Sequence, residues 1–273
     1  MTTTLLKHEW LRTRGVLGMF SGIVTLVVIA GALLSTLGSV LAVLGLIVAI
    51  LGLFILIPGT QLLLAADYWR SGYGRTGYFT QSIPVRGSTI FWAKLAWVMI
   101  ASLAATVLTG VLGLFGWWML SVRQTFDTPS PAVLGDVWAT ITDAAPLWMI
   151  VAGGLLVLAS VLYWPIQYCF AISFGHERRL AGLGAAGPIV VYVALYVITQ
   201  VAIFVGMVLI PLGVGAEGGR LTLVSFNVLD EMSAGVGASG DVMPLGFIVM
   251  MLLLGVFCLW RTARSWNHKV ALR

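Results

Sequence analysis

From Val16 to Ala66 the sequence is nearly continuous apolar residues, and that run dictates what the chain can become. As a single helix it would be about 75 Å long, against a hydrocarbon core of about 30 Å, so it has to fold back. The only polar cluster inside it is Ser35-Thr36-Leu37-Gly38-Ser39, which sets the turn between spans over roughly 16–36 and 40–66. Pro58, Thr60 and Gln61 interrupt the second span. A proline in a membrane helix frees a carbonyl that neighbouring groups must satisfy.

The rest of the composition agrees. Sixty per cent of the residues are hydrophobic and 9 % are charged, where a soluble domain carries about 25 % charged residues. The chain reads as an all-α integral membrane protein forming one transmembrane domain over residues 1–273. The net charge of +5 is no sign of nucleic acid, because the basic residues flank apolar spans and act as topology determinants. Cys169 and Cys258 both lie within apolar runs and read as small packing residues. Lys7, Arg12 and Arg14 precede an apolar run too long for a signal peptide. Residues 2–15, with Leu5, Leu6 and Trp10 on one helical side, predict an interfacial helix, although Glu9 intrudes on its apolar arc.

Beyond the polar loop 67–89, further spans fall at roughly 90–120, 147–174, 187–213 and 244–260. Ser88 or Thr89 is placed to cap the third. Residues 121–146 and 214–243 are polar and acidic, and within the latter Leu221 to Leu229 is apolar but too short to cross, as in a re-entrant or interfacial segment. With the N-terminus, 67–94, 175–184 and the C-terminus on one side, that side holds every Lys and Arg except Arg123 and Arg220. The other side holds every acid except Glu9, Asp67 and Glu177. The positive-inside rule then predicts a multi-pass protein of a plasma membrane, with six spans, both termini cytoplasmic, and 121–146 and 214–243 outside.

Chemistry of its own is not visible. There is no phosphate-binding GxxxxGK[ST] motif, His8, His176 and His268 all lie in flanks, and no zinc-type spacing occurs. The span centres hold no acid or base of the kind proton and ion pathways use. Uncharged polar residues stand there instead. Tyr192, Tyr196, Thr199 and Gln200 recur at helical spacing, Tyr163 and Gln167 share a face with Pro165 between them, and Gln61 lies in the second span. They read either as the lining of a path for a bulky, partly apolar substrate or as interhelical hydrogen bonds. Gly18 and Gly22, and Gly110, Gly113 and Gly116, suit close helix contacts.

A short basic N-terminal helix, two spans and a loop leading through TGYFTQSIPVRGSTIFWAK into the third span resemble the type-2 permeases, the membrane subunits of ATP-binding-cassette exporters. The family's glycine, Leu/Ile-Pro-Val/Ile-Ser/Arg turn and lysine correspond to Gly77, Ile83-Pro84-Val85-Arg86 and Lys94. The resemblance covers the chain as architecture and about twenty residues as motif. It implies a homo- or heterodimer of permeases in a bacterial-type membrane, served by two separate ATPase subunits that bind the ATP and Mg. This chain then needs no cofactor and is no enzyme. The resemblance also implies a coupling helix over Gly74–Ser82, with Gly74, Arg75, Gly77, Tyr78, Phe79, Gln81, Ile83 and Pro84 meeting the ATPase. The substrate class it implies is drug, peptide, lipid or glycan. The alternative is a non-transporting scaffold or signalling subunit.

Overall fold

The apolar run folds back where the polar cluster predicts. In the computed structural model, which describes residues 2–37, 39–74, 77–82, 84–124, 132–177, 180–184, 186–217, 220–234 and 242–268, α1 (Thr2–Leu34) and α2 (Ser39–Gly72) are joined by a turn at Ser35–Leu37. They are followed by the short helix α3 (Gly77–Gln81), then α4 (Gly87–Gln124), α5 (Ala132–Ala144), α6 (Leu147–Gly175) and α7 (Ala186–Leu209). A small sheet of β1 (Leu212–Glu217), β2 (Arg220–Ser225) and β3 (Val242–Pro244) comes next, with α8 (Val228–Ala234) between its last two strands. α9 (Gly246–His268) closes the described chain. Six helices, α1, α2, α4, α6, α7 and α9, are long and apolar enough to cross a membrane, so the chain is a six-span, all-α membrane protein.

One expectation is corrected. Residues 2–15 are not a separate surface helix; they are the first turns of α1, which runs unbroken to Leu34. Glu9 and Thr13 are buried there because α2 and α4 meet them. The stretch Leu221–Leu229, expected as a re-entrant or interfacial segment, takes the form of a strand, β2, and the start of α8. β1 lies between its partners in the order β2-β1-β3, both pairings antiparallel, with Val214 opposite Leu223 on one side and Met243 on the other.

α1 and α2 pack backbone to backbone. Ala42, Gly45, Ala49, Gly52, Leu56 and Gly59 follow one another three and four residues apart on α2, a spacing that keeps them on one stripe. A Cβ on Gly45 would stand 2.6 Å from the Gly31 carbonyl oxygen, and one on Gly31 would stand 2.7 Å from the Ala49 nitrogen. Gly52 and Gly59 make room for Val28 and Phe20. Small residues are what lets membrane helices come this close. The glycines singled out from the sequence do something else. At Gly18, Gly22, Gly110, Gly113 and Gly116 a Cβ would meet nothing within 4 Å, because those faces of α1 and α4 turn away from the rest of the chain.

The spans form two groups of three, α1–α2–α4 and α6–α7–α9. Among the described residues, the hydrogen bonds joining the groups run from Gln61, Tyr68, Trp69, Ser88 and Trp266 to Val161, Ser173, His176, Asn267 and Tyr68. All but the Gln61–Val161 bond, which sits midway along α6, lie toward the end that holds the start of α1 and α3. A core cluster spanning both groups, Tyr68, Tyr73, Ile90, Phe91, Leu95, Cys169, Ile172 and Trp266, lies there too. The half of α6 away from that end is bare by contrast: Leu147, Trp148, Val151, Leu155 and Val157 are all exposed. The groups are clamped at one end and make no described core at the other.

Candidate functional site

α3 hangs from the clamped end. Tyr73 and Gly74 donate their backbone N–H groups to the Trp69 carbonyl, turning the chain out of α2, and Gly77 donates to the Gly74 carbonyl. α3 then runs for five residues. Tyr78 and Phe79 point away from the protein at 67 % and 72 % exposure, their rings edge to face with centroids 6.1 Å apart. Gly77 is buried and Pro84 is exposed. Arg75 and Ile83 lie outside the described residues, as does the side chain of Gln81.

What holds α3 is a network that reaches three spans. The Thr80 hydroxyl donates to the Ser71 carbonyl at 2.8 Å. The Ser71 hydroxyl accepts from Lys94 Nζ at 2.8 Å, and the same ammonium donates to Glu9 Oε1 at 2.8 Å. Glu9 also pairs with Arg12, whose guanidinium binds both carboxylate oxygens of Asp67, Nε to Oδ1 at 3.0 Å. Lys94 is only 2 % exposed, so its charge is sustained by Glu9 and Ser71 and not by water. Lys94 is a buried tie between α1, α2 and α4. Trp97 adds a neutral bond from its indole N–H to the Thr13 hydroxyl, 2.9 Å.

Beside this network lies an aromatic knot. The Tyr68 hydroxyl accepts from Trp266 Nε1 at 2.6 Å and shares a 2.8 Å bond with Ser173. His176 accepts the Trp69 indole N–H at Nε2, 3.0 Å, so its Nδ1 is the nitrogen that donates to the Ile172 carbonyl at 2.8 Å. Tyr73 stacks on the His176 ring, centroids 4.9 Å apart, and burial raises its phenol pKa, keeping it neutral. Glu177 is buried between Arg261 and Ser265, accepting from each at 2.8 Å. α4 starts at Gly87, before the expected caps: the Ser88 N–H is met by Asn267 Oδ1 at 2.9 Å, and a Cβ on Gly87 would strike the Trp266 carbonyl.

The polar residues of the spans separate into two sets. Gln167 donates to the Thr199 hydroxyl at 2.9 Å, and Thr199 donates to the Leu195 carbonyl at 2.8 Å. Tyr163 is buried, its hydroxyl close to both without a hydrogen bond of acceptable geometry to either. Gln61 is buried and donates to the Val161 carbonyl at 2.9 Å. That carbonyl is the one a residue at 165 would normally engage through its N–H, and Pro165 has none. Gln61 therefore repairs the break that Pro165 makes in α6. The stripe on α7 divides: Thr199 points into the chain, Tyr192 rests half-buried beside Tyr168, and Tyr196 and Gln200 face outward. Among the described residues no group of three His, Cys, Asp or Glu side chains is disposed to hold a metal ion.

Glu9, Arg12, Asp67, Ser71 and Thr80 were not singled out as a site from the sequence; the one visible sign was Glu9 on an apolar arc. Compared with family models, with curated proteins and with solved structures, the chain matches none.

Proposed function

We propose that the chain is the permease subunit of an ATP-binding-cassette exporter, moving a bulky amphipathic substrate with energy from a separate ATPase that meets α3 on the cytoplasmic side. The observation that carries this reading is a pair of exposed aromatics on a five-residue helix wired, through Thr80, Ser71 and Lys94, to three membrane helices. Adjacent rings of this kind anchor well in a partner's groove, since they bury large areas at little entropic cost. A push on α3 reaches α2 through Thr80–Ser71 and α1 through Ser71–Lys94–Glu9. The same position at the clamped end lets such a push act on the contact between the two groups of spans.

The substrate's route in this reading passes between the two groups at the end where they make no core, or across the outward face of α7 that carries Tyr196 and Gln200. Gln61, Gln167 and Thr199 would then serve the frame of that route, because each already spends its hydrogen bonds on another helix or on its own backbone.

The test is whether an ATPase co-purifies with this chain from its native membrane, together with substrate-stimulated hydrolysis. Truncating a buried interface aromatic costs about 2 kcal/mol or more, so Tyr78→Ala with Phe79→Ala should loosen ATPase binding at least about 30-fold and leave the membrane fold intact. Unchanged co-purification and hydrolysis at normal expression would remove α3 as the coupling element; a chain that never recruits an ATPase would point to the scaffold reading.

A further inference from the structure

The small sheet has two unlike faces. Residues directly opposite in an antiparallel pair share a face, and the register sets Leu212, Val214 and Ala216 opposite Ser225, Leu223 and Leu221, with Met243 opposite Val214. Leu212, Leu221, Leu223 and Met243 on this face are all exposed, at 43 %, 37 %, 50 % and 56 %. The other face is filled by its own strands: Gly213 and Gly215 let Val224 and Val242 close over them. An apolar sheet face left open needs an occupant.

Position along the spans identifies one. Nothing lifts the sheet off the bundle, because only Ile210 and Pro211 separate α7 from β1, and only Leu245 separates β3 from α9. Trp266 lies at the level of the charged network, bonded to Tyr68 next to Asp67. From Trp266 to Gly246 α9 rises through twenty residues, about 30 Å, which is the thickness of the hydrocarbon core. The sheet therefore begins where the far headgroups begin. Exposed Trp117, Trp118 and Trp148 stand at comparable distances along α4 and α6, where membrane proteins carry their aromatic belt. The edges of β2 and β3 can meet water there, which they could not do deeper in the bilayer.

We propose that the sheet is a membrane-surface anchor whose face of Leu212, Val214, Leu221, Leu223 and Met243 lies in the acyl–headgroup boundary of the far leaflet. It holds the ends of α7 and α9 at that depth. The anchor does not depend on whether the chain transports anything.

Spin labels at Leu223→Cys and Met243→Cys, with one at Asp230→Cys on α8 as the aqueous reference, test this in lipid nanodiscs. Cys169 and Cys258 are buried, and unmodified protein gives the background. The expected result is that collisions with oxygen exceed those with a water-soluble nickel chelate at 223 and 243, reversing the ratio found at 230. A ratio at 223 and 243 equal to that at 230 would place the face in water. Labels shielded from both reagents would mean that protein, such as a second copy of the chain, covers it. Either of those outcomes overturns the proposal.

Discussion

A single amide shows how this chain manages polarity inside an apolar bundle. Pro165 removes one N–H from α6 and leaves the Val161 carbonyl without its helical donor; Gln61, on another helix, supplies one at 2.9 Å. A buried polar group left unsatisfied costs about 1–3 kcal/mol. Gln61→Leu should destabilise the protein by that much in thermal unfolding in detergent, while in the Pro165→Ala background the same change should cost clearly less, because an alanine at that position restores the N–H. Equal costs in both backgrounds would mean that Gln61 does not serve Val161. The sequence named both residues but not their partnership. Gln61 and Val161 are a hundred positions apart, and no periodicity reports which helix a side chain meets. The same holds for Glu9 and Lys94: each was visible as an oddity, a charge in an apolar arc and a lysine early in a span, and only the packing of α1 against α4 makes them a pair.

Elements were far more legible than their contacts. Hydropathy is a local property, so span limits follow from it: span four, expected at 147–174, is α6 at Leu147–Gly175. α1 exceeded its expected limits because the side of Lys7–Arg14 that carries Glu9 and Thr13 is covered by other helices and so need not lie on a membrane surface. Length alone does not reveal the sheet in Leu221–Leu229; the strand signal in the sequence is the β-branched pair Thr222 and Val224 between leucines. Glycine content likewise does not say which glycines matter. Gly45→Ala should cost about 1–3 kcal/mol by forcing α1 and α2 apart, since its Cβ would stand 2.6 Å from backbone. Gly113→Ala, with open space at its Cβ, should be neutral or stabilising by roughly 0.5–1 kcal/mol. Thermal unfolding of the two variants side by side checks the contrast, and a neutral Gly45→Ala would refute the close approach of α1 and α2.

For the molecule as a whole, the charge pattern predicts that α3 is cytoplasmic and α8 is outside. Single thiols at Ser82 and Ser233, both exposed, give the reading: an impermeant maleimide applied to intact cells should label Ser233→Cys at once and Ser82→Cys only after lysis. The opposite pattern would invert the topology and remove α3 from any cytoplasmic partner. The clamp that joins the two groups of spans also makes the protein a lever. Its fulcrum is the knot of Tyr68, Ser173 and Trp266, and the arm of α9 from Trp266 to Gly246, which meets α7 at Gly206, is about 30 Å long. A tilt of about 10° about that knot carries the end of such an arm through about 5 Å, close to the pitch of one helical turn. At the fulcrum itself the same tilt leaves the hydrogen bonds almost where they were. Such a tilt would open a gap about as wide as a side chain at the far end while the bonds of the knot stay made, and the bond it would part is Gln61–Val161, about 18 Å from Ser173 along α6.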